Sequence, residues 1–185
     1  MFETGGVTLG TDGLLYGNTS SDLYGNTFSG GTLGNGVTFK VTTGGSYTAL
    51  HNFANTGDGV NPVNALVIGN DGNFYGLTVS NPETFYRVTP AGVLTTLHTF
   101  STAQGFQSGQ LSLAGDRNFY GGLNLGGANN FGTLFKVTPT GALTVLHNFT
   151  GADVSASCTI SCLPPMVAWL VYSRWSPERA VHVRF

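Results

Sequence analysis

The chain has 185 residues, of which 28 are glycine and only 9% are charged, with a formal net charge of −2 and a pI near 6.0. This composition predicts a β-rich, turn-rich protein in which Asn, Thr and Ser supply the polar surface. The Lys and Arg residues form no basic stripe, so we do not expect nucleic acid as a partner. No apolar run approaches the length of about eighteen residues that a membrane-spanning helix needs, so no membrane span is predicted.

The first residues, Met1 to Gly6, lack the basic and apolar regions of a signal peptide. We therefore expect either that export is not used or that the true start lies upstream. The two cysteines, Cys158 and Cys162, have no second Cys or His pair near them at a zinc-finger spacing. The sequence accordingly predicts no metal and no cofactor.

A motif of the form F-K-V-T, followed by L-H-x-F, occurs three times along the chain. Lys40 and Lys136 lie 96 residues apart, and the same offset relates Tyr24 to Tyr120. The middle copy of the motif begins at Tyr86 as Y-R-V-T. These spacings indicate a tandem repeat of about 48 residues. The predicted units are 10–53, 54–100 and 101–149.

Each unit contains four short stretches in which apolar and polar residues alternate with period two, the signature of β-strands. In the middle unit these stretches are Ala65–Ile68, Asn73–Leu77, Phe85–Val88 and Leu94–Phe100. Four strands in under about fifty residues is the size of a propeller blade, and a closed propeller has about 4 to 8 blades. We therefore predict an all-β fold, an incomplete β-propeller of about three four-stranded antiparallel blades.

Repeat length varies mainly at the joint between the second and third strands. Tyr24–Lys40 and Tyr120–Lys136 have the same length, whereas Tyr75–Arg87 is four residues shorter. A length difference confined to one hairpin marks an exposed loop, where repeat proteins place recognition differences. We predict possible ligand contacts at Gly30, Gly31, Ser80, Asn81, Gly126 and Gly127.

The first unit also contains a local duplication, because Leu15–Thr19 and Leu23–Thr27 share the sequence Leu-Tyr-Gly-Asn-Thr. Only Tyr24 of the second copy is in sequence register with Tyr120. The first copy is therefore interpreted as the remnant of an earlier blade or as a slipped duplication.

The repeat ends at Asp153, which bounds a repeat domain at 1–153 and a non-repeat tail at 154–185. The tail contains both Trp and both Cys residues of the chain. Two interpretations remain open. The tail is either a genuine segment that packs on the last blade, or frameshifted or truncated sequence without an evolved function.

Eight residues recur at equivalent repeat positions and are predicted to be structural. They are Tyr24, Tyr75, Tyr120, His51, His98, His147, Asp71 and Asp116. A catalytic site needs different residues that converge on one point, whereas a residue repeated in every unit maintains the unit. The aspartates are assigned to turn formation rather than to calcium binding.

The tyrosines in the repeats allow a second interpretation. Phe74 and Tyr75 are adjacent on one strand and must point to opposite faces, so one belongs to the core. The other either fills the space between blades or contacts a carbohydrate. The unrepeated carboxylates Asp22, Asp58 and Glu83 are not expected to form a glycosidase pair, and no catalytic residue is predicted.

The units resemble the tandem repeats of the choice-of-anchor GloVer-type family, predicted propeller-like repeats of bacterial secreted or surface proteins. The resemblance rests on Asp71–Gly76, Gly132–Pro139 and Leu146–Phe149, and it covers roughly Gly10 to Asp153. It implies a propeller-like fold and a location outside the cell, and it implies no assigned reaction.

We therefore expect a non-catalytic extracellular or cell-surface repeat module that binds a protein or glycan or serves structural display. Its partners would include further propeller blades, supplied by a longer chain or by self-association. Two alternatives stay open. One is a fragment of a propeller enzyme, a hydrolase or lyase with its site in the central channel, and the other is a truncated gene product without independent function.

Overall fold

A computed structural model describes residues 7–9, 11–12, 15–19, 30–41, 46–79, 82–150, 159–162, 168–172 and 181–184. The chain divides into two compact units, Met1–Thr99 and Phe100–Phe185. Within these described ranges all regular secondary structure is β-strand. The same ranges contain no helix with the length and hydrophobicity of a membrane span.

The first unit contains two four-stranded sheets, each with its strands in chain order. The strands of the first sheet are β1 (Val7–Leu9), β2 (Leu15–Thr19), β3 (Val37–Val41) and β4 (Tyr47–Asn52). The strands of the second sheet are β5 (Pro62–Ile68), β6 (Phe74–Thr78), β7 (Thr84–Val88) and β8 (Leu94–Thr99). All neighbouring strands are antiparallel.

The second unit contains a third sheet of the same kind and a smaller sheet near the C-terminus. The third sheet consists of β9 (Phe106–Leu113), β10 (Phe119–Leu125), β11 (Thr133–Val137) and β12 (Leu143–Asn148). The smaller sheet consists of β13 (Thr159–Cys162), β14 (Ala168–Tyr172) and β15 (Val181–Arg184). The repeat pattern read from the sequence ends at Asp153, before the smaller sheet begins.

Three four-stranded antiparallel meanders confirm the predicted fold class, an incomplete β-propeller with about three blades. Closed propellers contain about 4 to 8 such blades, and the described residues supply three. The strand positions expected for the middle unit agree with β5 to β8 to within a few residues. The first sheet begins at Val7, slightly before the unit boundary expected at residue 10.

The register of the first sheet corrects one assignment made from sequence. Tyr16 pairs with Lys40 across β2 and β3, as Tyr75 pairs with Arg87 and Tyr120 with Lys136 in the other sheets. Sequence spacing had placed Tyr24 at this position, whereas Tyr24 lies outside the described residues. The 96-residue offset does not give the register here, because the connection between β2 and β3 is longer than the connections between the second and third strands of the other two blades. Leu15–Thr19 is thus the second strand of the blade and not a remnant.

A β-bulge explains the repeated Leu-His pair in the fourth strand of every blade. In β4, Ala49 pairs with Phe39 and His51 with Thr38, so Leu50 is the inserted residue. The same shift leaves Leu97 inserted in β8 and Leu146 in β12. A bulge adds one residue to one strand and increases the local twist. The L-H-x-F motif therefore records a backbone irregularity that each blade repeats.

The core of the first unit forms where the end of the first sheet meets the second sheet. Phe53 is fully buried with Tyr86, Phe74, Leu66 and Val88. The Phe53 and Tyr86 ring centroids lie 5.3 Å apart in an edge-to-face arrangement, a favourable geometry for aromatic pairs. The phenylalanine that closes each L-H-x-F motif is thus a packing residue.

We predict that Phe53→Ala lowers the free energy of unfolding by about 3 to 5 kcal/mol, because it empties a fully buried aromatic site. Urea unfolding followed by circular dichroism measures the loss. Leu33→Ala is the control, since Leu33 is 58% exposed and a substitution at such a site should change stability by no more than about 0.5 kcal/mol. Equal effects of the two substitutions would contradict this account of the core.

Candidate functional site

The antiparallel meander gives each blade two chemically different ends. The hairpins that join first to second and third to fourth strands lie at one end, which we call the turn end. The connections between second and third strands, and the links to the next blade, lie at the other, which we call the loop end. In the second unit the loop end comprises Ser101–Phe106 and Gly126–Gly132, and the turn end comprises Ala114–Asn118 and Thr138–Ala142.

At the turn end, a repeated Asp-x-Asn-x-Tyr sequence forms a closed hydrogen-bond network. The Asp71 carboxylate accepts hydrogen bonds from the Asn73 backbone amide at 3.2 Å, the Asn73 side-chain amide at 2.7 Å and the Tyr75 hydroxyl at 2.9 Å. Asp116 accepts the same three bonds from Asn118 and Tyr120, the last at 2.9 Å. The carboxylate of each motif therefore holds its hairpin and fixes the ring of its tyrosine.

The ionisation of these groups reflects the network. Burial alone would raise the pKa of Asp71, but the hydrogen bonds from Asn73 and Tyr75 bring it below its usual value. Burial and the hydrogen bond to Asp71 together raise the pKa of Tyr75 to about 12. Asp116 and Tyr120 shift in the same directions, and Lys136 Nζ lies 3.5 Å from Asp116.

The burial of the tyrosine rings decides whether they could contact a carbohydrate. Phe74 and Tyr75 are both buried, and Tyr75 stacks on Phe85 with ring centroids 5.7 Å apart. Tyr75 thus fills the protein interior and presents no face to a ligand, while Tyr120 is half-buried. Asp71 and Asp116 lie in turns.

At the loop end, the first and third blades build the same loop scaffold. Gly36 donates its backbone amide to Gly30 at 3.0 Å, as Gly132 does to Gly126 at 3.0 Å. The Phe53 backbone amide donates to the Gly36 carbonyl in the first blade, and the Phe149 amide donates to the Gly132 carbonyl in the third. Two copies 96 residues apart therefore hold loops of equal geometry.

An asparagine on the fourth strand anchors each of these loops. Asn52 Oδ1 accepts the Thr32 backbone amide at 3.0 Å, and Asn148 Oδ1 accepts the Ala128 amide at 2.8 Å. Gly31 and Gly127 make this approach possible. Both have positive φ, and a Cβ would lie 2.6 Å from Asn52 Oδ1 in the first case and 3.0 Å from Asn148 Oδ1 in the second.

The predicted ligand-contact glycines are therefore part of the scaffold. Gly30 and Gly126 are buried, Gly127 is half-buried and Gly31 is exposed, whereas the other residues exposed at the loop tips differ between the two blades. They are Thr32 and Leu33 in the first blade, and Ala128, Asn129, Asn130 and Phe131 in the third. In the middle blade Thr99 replaces the asparagine, and the predicted contacts Ser80 and Asn81 lie outside the described residues.

A His–Asp pair joins β4 to the link between the first two blades, and no second such pair is seen among the described residues. His51 Nε2 lies 2.9 Å from Asp58 Oδ2, and the side chains are 26% and 11% exposed. Asp58 also accepts the backbone amides of Ala54 and Thr56 at 2.9 and 3.0 Å. Burial alone would raise the pKa of Asp58, but these hydrogen bonds lower it overall.

Gln104 takes the place of Asp58 in the link that enters the third blade. Its Oε1 accepts the Ser101 amide at 2.8 Å, and its carbonyl accepts the Thr133 hydroxyl at 2.6 Å. Asp58 offers its own carbonyl to Thr84 in the same way. A neutral amide thus accepts a backbone amide of the link where the preceding link has a carboxylate.

The three histidines share a strand position. His51 bonds to Asp58 and lies edge-on to Phe53, with ring centroids 5.1 Å apart. His147 is exposed and packs against Phe149 at 5.0 Å. His98 lies opposite Phe85 in β8. The described residues contain no group of three His, Cys, Asp or Glu side chains placed to hold a metal ion.

The sheets and their repeated hairpins define a repeat protein of the β-propeller class. More specifically, the chain matches the model of the Gloeobacter/Verrucomicrobia repeat over residues 3–162. It belongs to this repeat family, which confirms the resemblance seen in the sequence. No protein among the curated sequences matches the chain.

Several solved structures are similar in fold. A catalytically inactive virginiamycin B lyase from Staphylococcus aureus, with quinupristin, aligns with a TM-score of 0.64 and 13% identity over 97% of this chain and 55% of that one. A selenomethionine-substituted form of that lyase gives a TM-score of 0.57 and 14% identity over 97% and 69%. A streptogramin B lyase gives 0.53 and 13% over 100% and 70%.

These identities establish the fold and nothing about the reaction. The chain spans only 55% of the length of the virginiamycin B lyase with quinupristin.

We predict that Asp71→Asn lowers the pKa of Tyr75 from about 12 part of the way toward the usual value near 10. The shift is partial because burial, the larger cause, remains. Since the folded state holds the tyrosine proton more tightly than the unfolded state, stability should fall as the pH rises from about 10 to 12. Carbon NMR of labelled tyrosine measures the titration.

Asp116→Asn is the matched control for this titration, because it should lower the pKa of Tyr120 and leave the pKa of Tyr75 unchanged. An unchanged Tyr75 titration in Asp71→Asn would show that the turn network does not hold the tyrosine proton.

We also predict that Asn148→Ala loosens the loop of the third blade by removing the acceptor for the Ala128 amide. A lost hydrogen bond of about 1 kcal/mol corresponds to roughly fivefold faster exchange of that amide, which hydrogen exchange by NMR measures. Asn52→Ala should accelerate hydrogen exchange of the Thr32 amide and leave exchange of the Ala128 amide unchanged. Acceleration of both amides by either substitution would refute independent anchoring.

Proposed function

We propose that the chain is a non-catalytic repeat module that acts outside the cell, where its loop ends bind a protein or glycan. One observation carries the proposal: two loops of equal backbone geometry hold exposed tips of different sequence. Residues that maintain a fold are repeated from blade to blade, whereas residues that recognise a ligand need not be. Thr32–Asn35 and Ala128–Phe131 are the tips that differ.

The chemistry of the turn end supports the same proposal. The Asp71 and Asp116 carboxylates are engaged by donors of their own hairpins. Groups held in this way stabilise a unit and are poorly placed for acid–base chemistry, which needs a group within reach of a substrate. Family membership adds that the module is one built from repeats.

A fragment of a propeller enzyme is the second candidate, and the His51–Asp58 pair is the observation that favours it. The pair is unrepeated among the described residues and partly exposed. Incubation of the purified chain with quinupristin, followed by mass spectrometry, tests this candidate. Product formed by the native chain and not by His51→Gln would support an enzyme, whereas unmodified quinupristin would count against a lyase of that kind.

Exchange of one loop tip tests the binding module. A variant with Ala128→Thr, Asn129→Leu, Asn130→Gly and Phe131→Asn places the first blade's tip on the third blade's scaffold. We expect it to fold, because Gly127 and Asn148 still hold the loop, and to lose binding to at least one component of an array of neutral glycans, acidic glycans and extracellular proteins.

Urea unfolding of the exchanged variant verifies that its fold is retained. The proposal fails if the native chain binds no component of the array. It also fails if the two proteins bind the same components equally well.

A further inference from the structure

The loop end of the third blade carries two exposed aromatic rings on a fixed backbone. Phe131 is 41% exposed and Phe106 is 37% exposed. Large apolar side chains at the surface of a rigid site are informative when they stand beside groups that could orient a ligand. We call Phe106, Asn129, Asn130 and Phe131 together the aromatic loop surface.

The two rings belong to segments that pack directly on each other. A Cβ placed on Gly126 would lie 3.1 Å from Phe106 Cδ1 and 2.9 Å from the Thr102 carbonyl oxygen. Gly126 in turn accepts the backbone amide of Gly132, which follows Phe131. Gly126 thus lies against Phe106 and is hydrogen-bonded to the residue that follows Phe131, so both aromatic residues lie at the same end of one sheet.

The loop backbone that leads to Phe131 is held by hydrogen bonds within the third blade. Asn148 holds the Ala128 amide, Asn130 donates its backbone amide to Gly127 at 3.3 Å, and the Asn129 side chain donates to the Phe149 carbonyl at 3.2 Å. A surface ordered in this way loses little conformational entropy on binding. The first blade has the same scaffold, but Asn35 stands where the third blade has Phe131.

The lack of charged residues in the loops that form the aromatic loop surface favours an uncharged ligand. Ser101–Phe106 and Gly126–Gly132 contain no Asp, Glu, Lys, Arg or His, so neither an acidic nor a basic polymer finds a complementary group there. Exposed asparagine amides both donate and accept hydrogen bonds, which suits hydroxyl groups. The aromatic faces suit the apolar C–H face of a sugar ring.

The small area of the surface argues in the same direction. A stable protein interface buries about 800 Å² on each partner, far more than two half-exposed rings and two amides supply. A single sugar residue needs only one ring to stack on and a few amides to orient its hydroxyls. Such a ligand matches the surface in both size and polarity.

From these observations we propose that the aromatic loop surface binds a neutral polysaccharide, with Phe131 as the stacking residue. This inference rests on the proposed function and specifies its ligand class and its site. It commits to an uncharged glycan and to the third blade.

Affinity electrophoresis of the full chain tests the inference. Native gels contain laminarin, xyloglucan or galactomannan as neutral probes, or polygalacturonate as an acidic one. We expect at least one neutral probe to retard the native chain and Phe131→Ala to weaken that binding about tenfold, which corresponds to about 1.4 kcal/mol of binding free energy, because the stacking ring is lost. Phe131→Tyr keeps the ring and should keep the binding.

Val93→Ala is the control, because Val93 is 62% exposed in the hairpin between β7 and β8, away from the loop ends, and its substitution should not affect retardation. Retardation by no neutral probe overturns the inference, as does equal retardation of Phe131→Ala and the native chain. If the array described above shows binding only to proteins or acidic glycans, the inference fails while the binding module stands. Binding to no component overturns both.

Discussion

The inner strands of the second blade are buried on both faces, and much of the structure follows from this. Every residue of β6 is buried, as are four of the five in β7. A sheet covered on both sides cannot stand alone in water, so it needs a neighbouring layer on each face. Phe53 and Leu50 of the first blade supply part of one such layer within the first unit. Polar atoms in the layer must be satisfied internally, which explains why Thr84 donates its hydroxyl to the Asp58 carbonyl and its amide to Thr78.

Sequence alone predicted the blade and its tight turns, because both depend on local signals. Alternation with period two, and Asp or Pro followed by Gly, specify strands and hairpins within a few residues. Register in the first blade could not be predicted, since Tyr16 and Tyr24 occupy identical local sequences and only pairing with Lys40 distinguishes them. The loop anchors Asn52 and Asn148 were missed for a related reason: their partners lie twenty residues away in sequence. The signal was nevertheless present, because Asn occurs in the two repeats with Gly-Gly loops and Thr99 in the repeat without one.

The turn end of a blade stabilises its hairpins, whereas the loop end carries the residues that vary between blades. At the turn end, the same Asp, Asn and Tyr form the same bonds in two blades, and a change at one of these positions disturbs a hairpin. At the loop end, the backbone is fixed by glycines and one asparagine, so the exposed tip is free to differ. Rigid elements that present variable loops are a recurrent solution for recognition.

The anchoring asparagine has a consequence for how such genes change. Each long loop takes its support from within its own repeat, and Gly30 to Phe53 aligns with Gly126 to Phe149 without a gap. Unequal crossing-over between these two gene segments would remove or add whole repeats and leave every loop beside its own anchor. Family members should accordingly differ in length by integral numbers of blades, and recombination could shuffle loop tips among them without disturbing a strand.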